Sequence, residues 1–169
     1  MTEKFTVVLK AHIALASARL PQGVSGNAAD IICRSVMWRR GLDYKHGTGH
    51  GVGCFLNVHE GPQNFSLHAS SYPLAENMIV SIEPGYYREN AFGIRIENLA
   101  RIVVDEESGM LKFAVLTLAP LDKRLIDKYL LTDEEISWLN DYHRDVLQKV
   151  SPYLTEEEKI WLKEACSSL

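Results

Sequence analysis

The residues most able to do chemistry are concentrated in one short stretch, from His46 to Pro62. It contains three of the six histidines (His46, His50 and His59) and five glycines. Glycine lets a backbone adopt unusual dihedral angles or approach a bound group closely. Imidazole can bind a metal ion or carry a proton near neutral pH. The segment therefore indicates a binding or catalytic loop rather than a helix or a plain apolar core. We call residues 46–62 the histidine loop.

Two carboxylates in apolar surroundings follow this loop. Glu83 ends the apolar run that starts at Met78, and Glu97 follows Arg95 in an alternating stretch. A dry, unpaired carboxylate is costly, so each needs a cation. Taken singly, an arginine partner or a solvated sheet face explains each of them. Together with His50 they favour a metal site, because one imidazole and two carboxylates suit Mn, Co, Fe or Zn better than copper or a thiolate-bound structural zinc.

His59 has two open interpretations. Beside a pair of ions about 3.5–4 Å apart, whose shared water becomes a hydroxide nucleophile, it would carry a proton or stabilise the tetrahedral intermediate. Taken alone, it is equally consistent with a hydrogen-bonded structural histidine.

The composition excludes several classes of protein. The 169 residues are 46% hydrophobic and 24% charged, as in an ordinary globular domain. A net charge of −4 argues against nucleic acid or an anionic membrane as the main partner. No apolar run has the length of a membrane span, and the first residues lack the core of a signal peptide. The three scattered cysteines (Cys33, Cys54 and Cys166) form no CxxC pair, which predicts a reducing, cytoplasmic location.

Two helices are predicted before the histidine loop. The first runs from Phe5 to Arg19, and the second runs from an N-cap at Asn27 to Arg40 and stops at Gly41. We expect the second helix to bury the apolar stripe formed by Ile31, Ile32, Val36 and Met37.

Three strands are predicted after a polar connection over residues 63–75. They are Met78 to Ile82, Phe92 to Val104, and Lys112 to Leu118, with a hairpin turn at Glu106–Gly109 before the last. In the middle strand, the isoleucines at 94 and 96 should face one way and the charged residues at 95 and 97 the other. These strands predict a small antiparallel sheet.

The tail is predicted to be helical. Capping-box patterns that begin at Thr132 and Thr155 open two helices, and Ser151-Pro152 separates them. We expect Ile136, Leu139 and Val146 on one side of the first of these helices. Helices before and after a small sheet make the fold class α+β.

Four motifs carry a resemblance to a known family. They are Gly-His50-Gly-Val-Gly, Val-His59-Glu-Gly-Pro, Ile-Val-Ser-Ile-Glu83-Pro-Gly-Tyr-Tyr and Gly-Ile-Arg95-Ile-Glu97-Asn. In this order they resemble the pita-bread dinuclear metallopeptidases, which include methionine aminopeptidase, prolidase and aminopeptidase P. The tail from Leu131 to His143 is similar to the C-terminal extension of cytosolic Xaa-Pro aminopeptidases. The resemblance implies that residues 1–121 are the second half of a pita-bread catalytic domain and that residues 122–169 are a helical extension.

The resemblance also implies a role for each motif residue. It makes His50 and Glu83 ligands of one metal ion and Glu97 a carboxylate that bridges two ions. His59 would lie beside the scissile amide as the catalytic histidine. His46 would line the substrate side of the pocket, or be a loop histidine held by backbone groups. Arg95 would orient a ligand carboxylate. His12, His68 and His143 match no ligand position.

The resemblance further implies two aspartate ligands that we do not find. Asp30 lies in a predicted helix and Asp43 in the turn after it, so neither has the strand setting that the family requires. We therefore expect a fragment that lacks the N-terminal half of the catalytic domain. Alone it should hold at most one ion weakly and show little or no activity, whereas the complete enzyme would hold two Mn (or Zn or Co) ions.

The expected substrate is a peptide with proline at its second position, and the expected assembly is a homodimer, because a missing half would leave apolar surface exposed. A prolidase-type dipeptidase fragment and a non-catalytic pita-bread module that binds peptides or proteins remain alternatives. A mononuclear iron enzyme is disfavoured, because its usual set is two histidines and one carboxylate.

Overall fold

A computed structural model describes residues 1–55, 57–68 and 71–169 of the chain. Their contacts divide the chain into two compact units, residues 7–116 and residues 1–6 with 117–169. The predicted domain boundary after residue 121 stays a prediction. None of the helices described is long and apolar enough to cross a membrane.

Helix α1 spans Thr2–Ala16, three residues earlier at each end than predicted. It ends where the Ser17 hydroxyl donates to the carbonyl of Ile13, at 2.7 Å, in the way that serine competes with a helical backbone. The part of α1 that belongs to the larger unit, residues 7–16, is buried almost throughout. It includes His12, which is fully buried.

Helix α2 spans Gly26–Trp38, with Ser25 rather than Asn27 in the extended N-cap position. The side-chain amide of Asn27 does not cap the helix. Its Nδ2 donates instead to the backbone carbonyl of Leu67 at 2.9 Å. The end before Gly41 is close to the prediction, and this glycine has a φ of +65°.

The predicted apolar stripe of α2 is wrong. Ile31 is 42% exposed, and of the four predicted residues only Met37 is buried. The buried face is polar at its centre, because Asp30 and Arg34 pair there and hydrogen-bond to the segment that follows the helix. The buried residues of this face are Gly26, Ala29, Asp30, Cys33, Arg34 and Met37.

The main sheet is antiparallel, as predicted. It contains β3 (Ile79–Ile82), β6 (Asn98–Val104) and β7 (Leu111–Val115) in the order β3-β6-β7. The predicted hairpin turn before β7 is confirmed, and Gly109 takes a φ of +70° there. Its base is closed by Asp105, whose carboxylate accepts from Lys112 Nζ at 2.6 Å.

A second hairpin corrects the predicted strand from Phe92 to Val104. β4 (Gly85–Arg88) pairs with β5 (Phe92–Arg95), and the chain leaves this ladder at residues 96 and 97 before entering β6. The two pairings keep one register, because the amide of Ile96 donates to the carbonyl of Pro84, at 3.3 Å, between the Gly85–Arg95 pair and the Ile82–Asn98 pair. The expected alternation holds across the break, with residues 94 and 96 buried and residues 95 and 97 exposed.

Two short strands lie beside the main sheet. β1 (Gly49–His50) in the histidine loop pairs with β2 (Asn64–Phe65) in the connection that we predicted to be polar. Phe65 is fully buried, with its ring edge-on to that of Phe113. Leu74, at the other end of this connection, is also buried, so the connection packs against the core at both ends.

The smaller unit contains α3 (Asp133–Val150) and α4 (Glu156–Ala165). Both predicted capping boxes are confirmed, and a 3₁₀ turn over Ser151–Tyr153 separates the helices as expected. Leu139 and Val146 are fully buried and Ile136 is half-buried. His143, also fully buried, accepts a hydrogen bond from the amide of Leu121 at 3.0 Å.

The buried His12 predicts that the stability of the chain depends on pH. Burial lowers its pKa from 6.5 to about 4, opposed by interactions with the Asn98 side chain and the backbone of Ile82 and Ile96. Below pH 6.5 the unfolded chain gains a proton that the folded chain refuses until about pH 4. The free energy of unfolding should therefore fall by up to about 3 kcal/mol between these values. Urea denaturation across this range measures it.

The variant His12→Gln should show a smaller fall, although it is less stable at pH 7. Part of the fall should remain, because burial also lowers the pKa of His143 to about 4. The control is His68→Gln, at an exposed histidine, which should keep the full dependence. Equal slopes in the wild-type chain and His12→Gln would contradict the prediction.

Candidate metal centre

The histidine loop lies directly against strand β3. The amide of Glu83 donates to the carbonyl of Thr48 at 2.7 Å, and Gly51 forms a β-bridge with Val80. A Cβ atom built at Gly49 would overlap the carbonyl oxygen of Ser81, so only glycine fits there. This close backbone approach brings the side chains of the loop to the end of the strand.

His50 and Glu83 meet at this junction. Nε2 of His50 is 3.1 Å from Oε1 of Glu83, and both side chains are mostly buried. Ser81 links them, because its hydroxyl donates to Glu83 Oε1 at 3.0 Å and accepts from the amide of His50 at 3.0 Å. One buried hydroxyl thus sets the loop residue and the strand residue in register.

The other ring nitrogen of His50 defines its tautomer. Nδ1 lies 3.0 Å from the carbonyl oxygen of Gly51, which can only accept, so Nδ1 carries the proton. In the neutral imidazole, Nε2 then turns a lone pair toward a carboxylate oxygen. Two such atoms repel unless a proton or a cation lies between them. A backbone carbonyl that holds one imidazole nitrogen while the other faces a metal is a common arrangement for histidine ligands.

Arg95, Tyr87 and His46 form a chain of contacts beside this pair. Nη1 of Arg95 lies 3.7 Å from Glu83 Oε2, and its Nε donates to the Tyr87 hydroxyl at 3.0 Å. The same hydroxyl is 2.9 Å from Nε2 of His46, whose ring also stacks on Tyr44 at 4.9 Å between centroids. The arginine therefore contacts both the carboxylate and the side chain that holds His46.

The two remaining predicted residues differ in position. His59 is exposed, with its ring centroid 4.2 Å from that of His50. Glu97 is also exposed, and it lies in the connection between β5 and β6 rather than inside a strand. It does not border the cleft of about 360 Å³, which is lined by His46, Gly47, Gly49, His50, His59, Asn64, Ser66, Glu83 and Arg95.

These donors fit one side of a metal centre but not a complete one. Within residues 1–55, 57–68 and 71–169, no three His, Cys, Asp or Glu side chains form a group that could hold a metal ion. His50 and Glu83 supply one nitrogen and one carboxylate, fewer than the four ligands of a tetrahedral zinc site.

Sequence reasoning missed the polar side chains that organise this cleft. The sequence places Ser81 in an apolar strand and gives Tyr87 no role beyond the motif that contains it. A serine two residues before the glutamate that directly follows a strand is the signal that would have indicated Ser81, since residues at i and i+2 of an extended chain share a face. By the same rule, Gly85 and Tyr87 share a face of strand β4. No local pattern connects Tyr87 with His46, which is 41 residues away.

Comparison with known proteins identifies the family. A family model described as metallopeptidase family M24 matches residues 1–105, and a model of the C-terminal region of peptidase M24 matches residues 109–169. The chain therefore belongs to metallopeptidase family M24. Together these matches cover the whole chain except residues 106–108.

Curated relatives are Xaa-Pro aminopeptidases. Aminopeptidase P1 of Lotus japonicus is 48% identical over 95% of this chain and 26% of its own length. Xaa-Pro aminopeptidase app-1 of Caenorhabditis elegans is 43% identical over 97% of this chain and 28% of its own length. The expected resemblance is confirmed, and the chain spans roughly a quarter of the length of these relatives.

Solved structures confirm the fold. An X-prolyl aminopeptidase from C. elegans, described as a cytosolic enzyme with a di-nuclear active site, matches with a TM-score of 0.92 at 43% identity. The match covers 99% of this chain and 29% of that one. Prolidase from Pyrococcus furiosus matches with a TM-score of 0.56 at 31% identity, over 66% of this chain and 31% of its own. The α+β half of a pita-bread fold is thus the architecture of this chain.

Proposed function

We propose that this chain is the C-terminal part of a metal-dependent Xaa-Pro aminopeptidase, which removes an N-terminal residue that precedes proline. The observation that carries the proposal is the convergence of His50 Nε2 and Glu83 Oε1 at 3.1 Å, with the imidazole proton held at Gly51. The strength of the similarity to X-prolyl aminopeptidases supports the substrate class. A cytoplasmic location is part of the proposal, supported by the description of the C. elegans enzyme as cytosolic.

Each residue of the cleft has a proposed role. His50, Glu83 and Glu97 supply metal ligands, and Arg95 orients the carboxylate of Glu83. His46 lines the side of the cleft where substrate binds. His59, exposed beside His50, exchanges protons with the scissile amide and its products.

The proposed cofactor is a pair of divalent ions, Mn or else Zn or Co, in the complete enzyme. Two ions held close together would supply a hydroxide nucleophile at neutral pH. The described part of this chain contributes too few ligands for that pair. We therefore propose that the chain alone binds at most one ion and does not turn over substrate.

A prolidase-type dipeptidase is the second candidate. Prolidases share the fold of much of the chain, with 66% coverage for the P. furiosus enzyme. The match to the C. elegans aminopeptidase covers 99% of this chain, and this wider coverage favours the aminopeptidase. Substrate length distinguishes the two: an aminopeptidase accepts a residue after the proline, and a dipeptidase does not.

Metal uptake tests the half-site, the incomplete set of metal ligands that contains His50 and Glu83. Calorimetric titration of the 169-residue chain with Mn²⁺ should show weak binding of a single ion. Glu83→Gln should weaken it by roughly tenfold or more, because the amide keeps the size of the side chain but loses its charge. Glu107→Gln, in the exposed turn before β7, is the control and should bind like the wild-type chain. Tight uptake of two ions, or an unaffected Glu83→Gln, would contradict the proposal.

A chimaera tests the activity. These 169 residues would replace the matching segment of the C. elegans aminopeptidase, which is 43% identical. The chimaera should cleave Xaa-Pro-Xaa tripeptides faster than Xaa-Pro dipeptides, in a peptide-hydrolysis assay with Mn²⁺. His59→Ala should reduce kcat by roughly 100-fold, because a proton carrier is lost.

His68→Ala is the matched control for the chimaera, since this histidine is exposed and does not line the cleft. It should leave both kinetic parameters unchanged. Preference for dipeptides would favour the prolidase instead. Absence of cleavage by a folded chimaera that still binds Mn²⁺ would favour a non-catalytic peptide-binding module.

We also propose that the protein is a homodimer. Four large apolar side chains of residues 117–169 are more than 60% exposed, and such groups favour association: Tyr129, Tyr153, Ile160 and Trp161. Light scattering at tens of micromolar should give twice the mass of the chain, and Trp161→Lys should shift it toward the monomer. The control is Tyr72→Ser, at a half-exposed tyrosine of the larger unit. A monomeric wild-type chain would contradict the proposal.

A further inference from the structure

We infer that Arg34 is a positioning residue of the metal centre, which acts through the backbone of the histidine loop and is held in place by Asp30. This inference rests on the proposed function, since it concerns the same cleft. Neither residue lines the cleft, and neither belongs to the motifs of the family resemblance.

Arg34 directs its guanidinium at the start of the histidine loop. Nη1 donates to the carbonyl of Tyr44 at 2.8 Å, and Nη2 donates to the carbonyl of His46 at 2.6 Å. Its carbon Cζ lies 4.1 Å from the centre of the Tyr44 ring. The planar fork therefore fixes two alternate carbonyl groups of the segment that leads to His50.

Asp30 completes the connection from the helix to the strand. One of its oxygens accepts from Arg34 Nε at 2.8 Å, and the other accepts from the Thr48 hydroxyl at 2.5 Å. The carbonyl of Thr48 in turn accepts a hydrogen bond from the backbone amide of Glu83 at 2.7 Å. A continuous path of hydrogen bonds thus runs from helix α2 through the loop to a proposed ligand.

The charged partners of the Arg34 guanidinium are carboxylates. Asp30 is completely buried and the side chain of Arg34 is 4% exposed, while Asp43 on the surface pairs with Nη1 at 2.8 Å. Burial raises the pKa of the Cys33 thiol to about 12 and that of the Tyr44 phenol well above its ordinary value, so both groups are neutral. The guanidinium therefore has only carboxylates as charged partners here among the residues described.

A buried ion pair is an expensive way to stabilise a helix. Its desolvation can exceed its attraction, and well-packed apolar side chains of similar volume are often as stable. Its advantage is directional, because each donor requires an acceptor at a defined place. Here the acceptors are the loop carbonyls, so the pair fixes the path of the loop rather than the helix alone.

Two substitutions test the inference in the full 169-residue chain. Arg34→Lys keeps the charge beside Asp30 but cannot span both carbonyl groups. Thr48→Val removes the hydroxyl that Asp30 holds, with little change in shape, and Thr48→Ser restores it. We expect faster backbone amide exchange over residues 46–50 and roughly tenfold weaker Mn²⁺ binding in the first two variants, with rescue by Thr48→Ser.

The control is an ion pair of the same unit that does not reach the loop. Asp105 accepts from Lys112 at 2.6 Å and from Ser108 at 2.7 Å at the turn before β7. Asp105→Asn should lower the melting temperature and leave both the exchange at residues 46–50 and the affinity for Mn²⁺ unchanged. This comparison separates positioning from a loss of stability.

The outcomes are distinct. Unchanged exchange and unchanged affinity in folded Arg34→Lys and Thr48→Val would overturn the inference, as would equal changes in Asp105→Asn. If Arg34→Lys does not fold, the pair Thr48→Val and Thr48→Ser decides the matter. If the wild-type chain binds no Mn²⁺, the proposed half-site fails, and amide exchange alone still tests whether Arg34 orders the loop.

Discussion

The close approach of the histidine loop to strand β3 is the constraint on which the cleft depends. Gly49 leaves no room for a side chain against Ser81, and the amide of Glu83 is bound to the carbonyl of Thr48. Because these contacts involve backbone atoms, they do not depend on the side-chain chemistry of the cleft. They place His50 beside Glu83 before any ligand is bound, and such preorganisation lowers the entropic cost of forming a site.

The polar interior of the larger unit follows from this constraint. A glycine-rich loop has little side-chain packing of its own, so its backbone groups need partners from elsewhere. Helix α2 supplies them through Arg34, and strand β3 supplies them through Ser81. The helix accordingly turns its charged pair inward and leaves Ile31 exposed, the reverse of an ordinary amphipathic helix.

Local patterns in the sequence predicted local structure well. The capping boxes at Thr132 and Thr155, the turn at Gly109 and the strand that ends at Ile82 depend on neighbouring residues, and all appear in the structure. The inward face of α2 was not predictable in this way. It depends on hydrogen bonds to the segment that contains Tyr44, His46 and Thr48, whereas a periodicity argument assumes that a helix buries its most apolar face.

The same distinction separates the two proposed carboxylate ligands. Glu83 is buried and held by Ser81, so its oxygen lies at one place relative to His50. Glu97 follows β5 and is exposed, so its side chain can reorient at little cost. Sequence spacing treats the two as equivalent members of an apolar stretch, yet only burial with a hydrogen-bond partner fixes a carboxylate in advance. One carboxylate is therefore positioned by this chain, whereas the other would be drawn into place by the charge that it binds.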